Sequence, residues 1–314
     1  MKHIMITGAH GLVGYALTKA LVDAGQPVLA TDLVASQVEN TPIHPLDVLD
    51  VEALRCAMVQ HQVSGVVHCG GVSGPMVRPE EPLYIWRVNA LGTANVFEAA
   101  RLAGVERVVY CSSTSAYGQT PPGLDPIPED VPLAPSLVYS ASKGAGELLA
   151  RAYTQQFGLA ITALRLSWVY GPRRTTACFI RDALLDALDG RPTVVPHGKH
   201  FGRQYLYVDD AVQAIRAELA APTEMPQGLY TITGGSYKTL EEVAQLIHTA
   251  YPNADIQLVD GPVPRAEVQG RFDLAAATRD FGYRPTVTLP EGIRRYGAWL
   301  MERRRLGEPT GAEG

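Results

Sequence analysis

Residues 7–14 read Thr7-Gly8-Ala9-His10-Gly11-Leu12-Val13-Gly14, directly after the β-branched run HIMIT (3–7) and at the start of the helical pattern VGYALTKALVDAG. Glycines at that spacing suit a strand that turns sharply into a helix. They permit a tight turn, let a pyrophosphate approach the backbone, and allow close helix–strand packing. A lone glycine triplet is a weak signal. Here a second strand, PVLATD (27–32), ends on Asp32, 18 positions after Gly14. A carboxylate at that place accepts hydrogen bonds from ribose hydroxyls and repels a 2′-phosphate. The residues after it, Leu33 and Val34, supply no arginine. The turn therefore predicts a dinucleotide site that takes NAD rather than NADP; the competing explanation is a structural turn with a capping aspartate.

Working outward, short apolar runs alternate with helical patterns. GVVHC (65–69), RVVYC (107–111) and ITALRL (161–166) read as strands, with PIHPLD (42–47) weaker. They are nearly continuous in apolar residues, as strands covered on both faces should be. Gly104 and Gly158 stand where left-handed residues would close two of the helices. Strand–helix alternation implies an α/β fold, a doubly wound parallel sheet with right-handed crossovers. After Trp168-Val169-Tyr170-Gly171-Pro172 the rhythm breaks, returning briefly at RQYLYVDDAVQAIRAEL, and TLEEVAQLIHTAY reads as a helix opened by Thr239. The expected organisation is a dinucleotide-binding domain at 1–170 plus 205–232, a smaller substrate lobe at 171–204 plus 233–303, and a disordered tail at 304–314.

The 314 residues are 46% hydrophobic and 19% charged, with a net charge of -5. That composition builds a sizeable core and gives no general electrostatic attraction to nucleic acid or acidic membranes. No stretch approaches the roughly 20 apolar residues of a membrane span, and the N-terminal apolar run is short for a signal peptide. Cys56, Cys69, Cys111 and Cys178 form no CxxC pair or zinc-type cluster. Buried free thiols, no metal and a cytoplasmic location are the expectation.

The chemistry sits in VYSASKGAGELLA (138–150), where Tyr139 precedes Lys143 by four residues at a helix start. Four helical steps turn about 40° past a full circle, so both side chains share a face. A free tyrosine, with a pKa near 10, is a poor base at neutrality, and bringing it towards 7 means stabilising the phenolate by about 4 kcal/mol. An ammonium about 4 Å away at an effective dielectric near 20 supplies energy of that order. The pair can thus take a proton from a substrate alcohol. CSSTSAYG (111–118) lies at the carboxyl end of a strand, where open parallel sheets place ligands. Ser113 is chosen to orient the substrate oxygen, with Thr114 and Ser112 as competitors.

In the motifs TGAHGLVG, Asp32, LDV (46–48), HCGG (68–71), Asn89, SSTSAYG, YSASK, LRLSWVYGP and RQYLYVDD, the chain resembles the extended short-chain dehydrogenase/reductase superfamily, in its NAD-dependent epimerase/dehydratase group. The resemblance spans roughly residues 1–300 and implies a Rossmann-like domain with a smaller C-terminal lobe. It implies cofactor contacts from Gly8, His10, Gly11, Leu12, Val13 and Asp32. Asp47 and Val48 would flank the adenine, and Cys69, Gly70 and Gly71 would line the pyrophosphate and nicotinamide ribose, with Asn89, Tyr139, Lys143 and Val169 completing the set. Ser113 falls where the family keeps a catalytic Ser or Thr. The resemblance also implies a homodimer packed through the helices at 90–104 and 139–157.

Departures from the family bear on substrate. Nucleotide-sugar enzymes often carry Asn where Trp168 stands, while Arg203 matches an arginine that commonly meets a phosphate. Dehydratases usually follow the catalytic Ser/Thr with Asp-Glu; here Thr114-Ser115 follow. HCGG and the VSGPM loop resemble uronate dehydrogenases, which brings in Ser73 and Met76. Arg173 and Arg174 could clamp a carboxylate or phosphate, or simply decorate a solvated loop. His68 and His197 read as satisfied or exposed, Tyr84 and Trp86 as packing, Tyr205 and Tyr207 as core. The expected function is oxidation by NAD of a secondary alcohol on a carbohydrate or sugar-acid-like substrate by Ser113, Tyr139 and Lys143. The alternatives are a nucleotide-sugar epimerase and a non-catalytic NAD-sensing protein.

Overall fold

The computed structural model describes residues 2–223, 226–264 and 266–310. Its main sheet is built from β1 (His3–Thr7), β2 (Val28–Asp32), β3 (Ser36–Val38), β4 (Thr41–Pro45), β5 (Val63–His68), β6 (Arg107–Ser113), β7 (Ala160–Leu166) and β11 (Leu229–Ile232). The spatial order is β11-β7-β6-β5-β1-β2-β4-β3, parallel throughout except for the edge pair β3–β4. Successive residues of one strand go to opposite layers. Ile6, Ala30, Val67 and Val109 join one core cluster, and their neighbours Met5, Leu29, Val66 and Val108 join the other. That is why these strands read as unbroken apolar runs.

Helices α1 (Leu12–Asp23) and α7 (Val208–Ala220) cover the first layer; α2 (Val51–Gln60), α4 (Gly92–Ala103) and α5 (Val138–Phe157) cover the second. Short α3 (Pro82–Trp86) runs into a π-helical turn, Arg87–Leu91, ahead of α4. Gly104 and Gly158 close α4 and α5 at φ 70° and 69°, as a left-handed cap requires.

The smaller region holds β8 (Trp168–Tyr170), β10 (Gly202–Tyr207) and β12 (Tyr237–Thr239) in one sheet, and β9 (Thr193–Val195) with β13 (Ile256–Leu258) in another. Around them α6 (Phe179–Asp189), α8 (Leu240–Ala250) and α10 (Leu289–Arg305) bury Tyr170, Tyr205, Tyr207 and Tyr296. Thr239 and Glu242 form a capping box at α8.

Three expectations need correction. β8 and the second half of β10 (205–207), expected within the dinucleotide-binding domain, pair with each other in the separate sheet. A strand pattern shows burial and not which sheet the strand joins. Helix α9 (Ala275–Phe281), expected in the smaller lobe, returns to the main domain: Ala276, Ala277 and Tyr283 share its core. The tail expected from 304 begins later, because α10 continues to Arg305; residues 311–314 lie outside the described residues. Among the described residues no helix is long and apolar enough to cross a membrane.

Candidate active site

β1 and β5 lie side by side, Thr7 opposite His68. From there the strand order runs in opposite directions, opening a crevice at the carboxyl edge. Gly8, at φ +70°, has no room for a side chain, since a Cβ would sit 2.6 Å from the Gly70 nitrogen. A Cβ on Gly14 would run into the Gly8 carbonyl. Gly11 precedes α1 without any capping side chain, so the first-turn N–H groups of Leu12 and Val13 remain available to a phosphate. Asp32, ending β2, accepts from the His10 N–H at 2.9 Å and the Leu33 N–H at 2.7 Å, and each oxygen keeps capacity for a ribose hydroxyl. Asp47 is exposed, its carboxylate accepting from the Leu49 N–H at 2.9 Å. Val48 packs against the Gly92 backbone while its carbonyl accepts from Asn95 at 3.0 Å.

Behind this wall runs a chain of buried hydrogen bonds. The Gly70 N–H donates to Thr7 Oγ1 (3.2 Å), and Thr7 meets His68 Nδ1 (2.7 Å). On the other side of the ring His68 Nε2 meets Thr93 Oγ1 (3.0 Å), which donates to the Asn89 carbonyl (2.5 Å). Because Thr93 spends its proton on Asn89, His68 donates from Nε2 and accepts from Thr7. Burial, with Lys143 adding to it, pushes the His68 imidazole down to about 3, so the ring is neutral. Asn89 accepts from the Val72 N–H at 2.7 Å and donates to the Val72 carbonyl and Ser142 Oγ, both at 3.2 Å. With its amide engaged and only 1% of it exposed, Asn89 clamps the loop after β5 to α5, where a cofactor contact was expected. The π-turn aims it inward.

Lys143 is buried on the inner face of α5. Its ammonium donates to the Cys111 carbonyl at 2.9 Å and lies 5.2 Å from the Tyr110 ring centroid. It lies 3.9 Å from where a Gly71 Cβ would be, so its charge stands in the crevice beside the loop that Gly8 touches. Tyr139, one turn earlier, is 8% exposed and packs against Val72 and Ile85. Ser113, at the end of β6, accepts from the Ser115 N–H at 3.1 Å, which leaves its own O–H free to donate. Competitor Ser112 is spent, donating to Glu147 at 2.5 Å. Cys69 and Cys111 meet at 3.4 Å, and this contact with burial drives the Cys69 thiol well up. Cys111 and Cys178 are buried, but Cys56 is exposed, against the expectation for all four.

In the separate three-stranded sheet Arg203 stacks over Trp168 (4.0 Å), and it also lies over Phe201 (4.9 Å). Its Nε is buried with no hydrogen-bond partner, and burial pushes the guanidinium below its ordinary value. Arg173 adopts φ 70° and lies over the Tyr15 ring at 3.7 Å, its Nε also unpartnered. Arg174 is different: its guanidinium donates to the carbonyls of Val169, Thr176 and Ala177. It staples the loop, with its guanidinium spent on those carbonyls where a substrate contact was expected. Ser73 is exposed and Thr114 buried. Trp86 is 43% exposed, contrary to a packing role.

Sequence reasoning missed the ion pair under the site, Glu147 with Arg165 at 2.7 Å, both nearly sealed from solvent. Tyr139, Lys143 and Glu147 succeed one another at four-residue steps, a signal within reach. It also missed Glu267 and Gln269, for which no local pattern exists.

The crevice is a dinucleotide site by its glycine cradle, its helix N-terminus and its acidic strand end. The chain belongs to the NAD dependent epimerase/dehydratase family, which it matches over residues 4–232, and its cofactor is NAD. It is 31% identical to the UDP-glucose 4-epimerase of Mycolicibacterium smegmatis, covering 92% of this chain and 95% of that one. It is 30% identical to the dTDP-glucose 4,6-dehydratase of Streptomyces griseus, covering 98% and 96%. The crystal structure of the UDP-glucose 4-epimerase of Thermus thermophilus in complex with NAD superposes with a TM-score of 0.84 at 28% identity, covering 95% of this chain and 98% of that one.

Proposed function

We propose that the protein is an oxidoreductase that takes hydrogen from a secondary alcohol of a carbohydrate or sugar-acid-like substrate. The observation carrying this reading is the Lys143 ammonium, held at 2.9 Å by the Cys111 carbonyl within the cofactor crevice and on the helix face it shares with Tyr139. In the reaction Tyr139 accepts the proton of the substrate hydroxyl, and the Lys143 charge stabilises the phenolate that does so. Ser113 donates its free O–H to the substrate oxygen and fixes its direction. NAD, when bound, supplies the two-electron acceptor. Gly8, Gly11, Leu12 and Val13 would hold its pyrophosphate, Asp32 its adenosine ribose, and Lys143 its nicotinamide ribose.

A second reading, inversion of a nucleotide sugar, draws on Arg203, a half-buried cation whose buried Nε is unfilled and suited to a phosphate, and on relatives that carry that activity by name. Against it stands Trp168 where such enzymes often carry Asn. Incubation with free sugars, uronates, aldonates and nucleotide sugars, with NAD or NADP, separates the two. NADH accumulating in step with product is expected; isomerised substrate without net NADH would select the second reading. We also infer a homodimer through α4 and α5, on which Leu102, Leu148 and Phe157 are 50%, 66% and 47% exposed; light scattering in solution tests it.

A further inference from the structure

Helix α5 starts without a capping side chain and without an acidic residue in its first turn, although it carries both Tyr139 and Lys143. Its positive end is answered from far along the chain. Glu267 accepts from the Ser136 N–H (2.5 Å), the Ser136 hydroxyl (3.0 Å) and the Ser140 hydroxyl (2.7 Å). A carboxylate there both satisfies donors and complements the helix dipole. Two residues on, Gln269 Nε2 donates to the carbonyls of Thr114 (2.7 Å) and Gly118 (3.2 Å), the turn that follows Ser113. Between them Val268 is tied by its backbone to Gln119 Oε1 and the Thr120 N–H, both at 3.1 Å. The segment alternates as extended chain does. Glu267 and Gln269 face the catalytic segments, whereas Ala266 and Val268 line a cavity of about 260 Å³ with His200, Phe201, Pro262 and Val263.

We propose that residues 266–269 form a strap from the substrate-binding side that holds the helix of Tyr139 and the turn of Ser113 in one alignment, with Glu267 as the positioning residue. Its effect on turnover rests on the catalytic reading above; its effect on the helix does not. Glu267 acts through α5 and touches no reacting atom. Because α5 presents two of the three catalytic groups, a small shift of its first turn separates them from Ser113, and positioning errors of that size are costly to rate.

The test is amide hydrogen exchange by mass spectrometry on the full chain loaded with NAD, comparing wild type, Glu267→Gln and the milder Ser136→Ala. Exchange in residues 136–143 and 114–120 should rise about tenfold in Glu267→Gln and less in Ser136→Ala, with α2 unchanged. On whichever substrate is turned over, kcat should fall about tenfold while the KM for NAD stays within about twofold. Unchanged exchange at 136–143, or an equal rise in α2, would overturn the strap. Should Tyr139→Phe retain full turnover, the catalytic reading fails while the exchange experiment still decides the strap.

Discussion

The sheet side of the crevice and the segment 167–203 treat their polar groups in opposite ways. On the sheet side Thr7, His68, Thr93, Asn89, Ser142 and Lys143 all have partners within 3.2 Å. In the segment 167–203 Ser167 Oγ, Arg173 Nε, His197 Nδ1 and Arg203 Nε are buried with none. An unmade bond at a buried group costs roughly 1–3 kcal/mol, and four of the seven such atoms among the described residues fall between 167 and 203, the others being Gln213 Oε1, Glu218 Oε2 and the Tyr296 hydroxyl. The chain of hydrogen bonds behind the glycine turn is closed on itself; the polar groups between 167 and 203 are not. Removing Tyr139's hydroxyl is the most severe challenge to that division. Tyr139→Phe should lower turnover by roughly 10²–10⁴-fold and leave NAD affinity within about twofold, read by steady-state kinetics and NAD titration. Equal losses in both would mean that chemistry and cofactor holding cannot be separated on this wall.

Next in size is the support beneath it. Glu147→Gln leaves the Arg165 guanidinium buried without its carboxylate, and losing one partner of a buried pair typically costs about 3–5 kcal/mol. Urea unfolding midpoints should show a loss at or above the lower end of that range. The pH arm concerns His68, whose folded imidazole sits at about 3 against an ordinary value near 6.5. Between those values the unfolded chain binds a proton that the folded chain refuses. His68's contribution is therefore complete above pH 6.5 and declines by about 1.4 kcal/mol per unit as pH falls towards 3. Unfolding curves at several pH values, compared with His68→Gln, should show this slope in the wild type and its reduction in the variant.

The legible parts of the fold and site are those written within one or two adjacent elements. The glycine turn, Asp32 and the Tyr139–Lys143 step are each fixed by local geometry, and residue spacing reports local geometry faithfully. Glu147 lies on the same four-residue ladder and was equally readable. Arg173, Arg174 and Arg203 show where spacing fails. They look alike as candidates, and all three lie over aromatic rings, yet the Arg174 guanidinium is spent on carbonyls of its own loop while Arg173 and Arg203 keep an unpartnered Nε. Glu267 stands 127 residues from Ser140, and nothing near either one in the chain announces the contact. The sheet to which β8 and β10 belong is illegible for the same reason, since alternation and burial are common to both sheets.

The smallest expected effect separates the two regions most cleanly. Arg203→Met removes a half-buried cation held by Trp168 and Phe201 at 4.0 and 4.9 Å, and no folded-state bond to its Nε is lost. Methionine fills similar apolar space against the aromatic rings. Replacing a charge that lacks compensation with a packed apolar group tends to be neutral or stabilising, so the unfolding midpoint should hold or rise, the reverse of Glu147→Gln. Substrate KM should nevertheless climb about tenfold, equivalent to about 1.4 kcal/mol, with kcat and the KM for NAD little changed. That pattern requires a cation kept for a ligand at the expense of the fold. If stability falls by as much as in Glu147→Gln while substrate KM stays put, Arg203 belongs to the structure and the contrast between the two regions is lost.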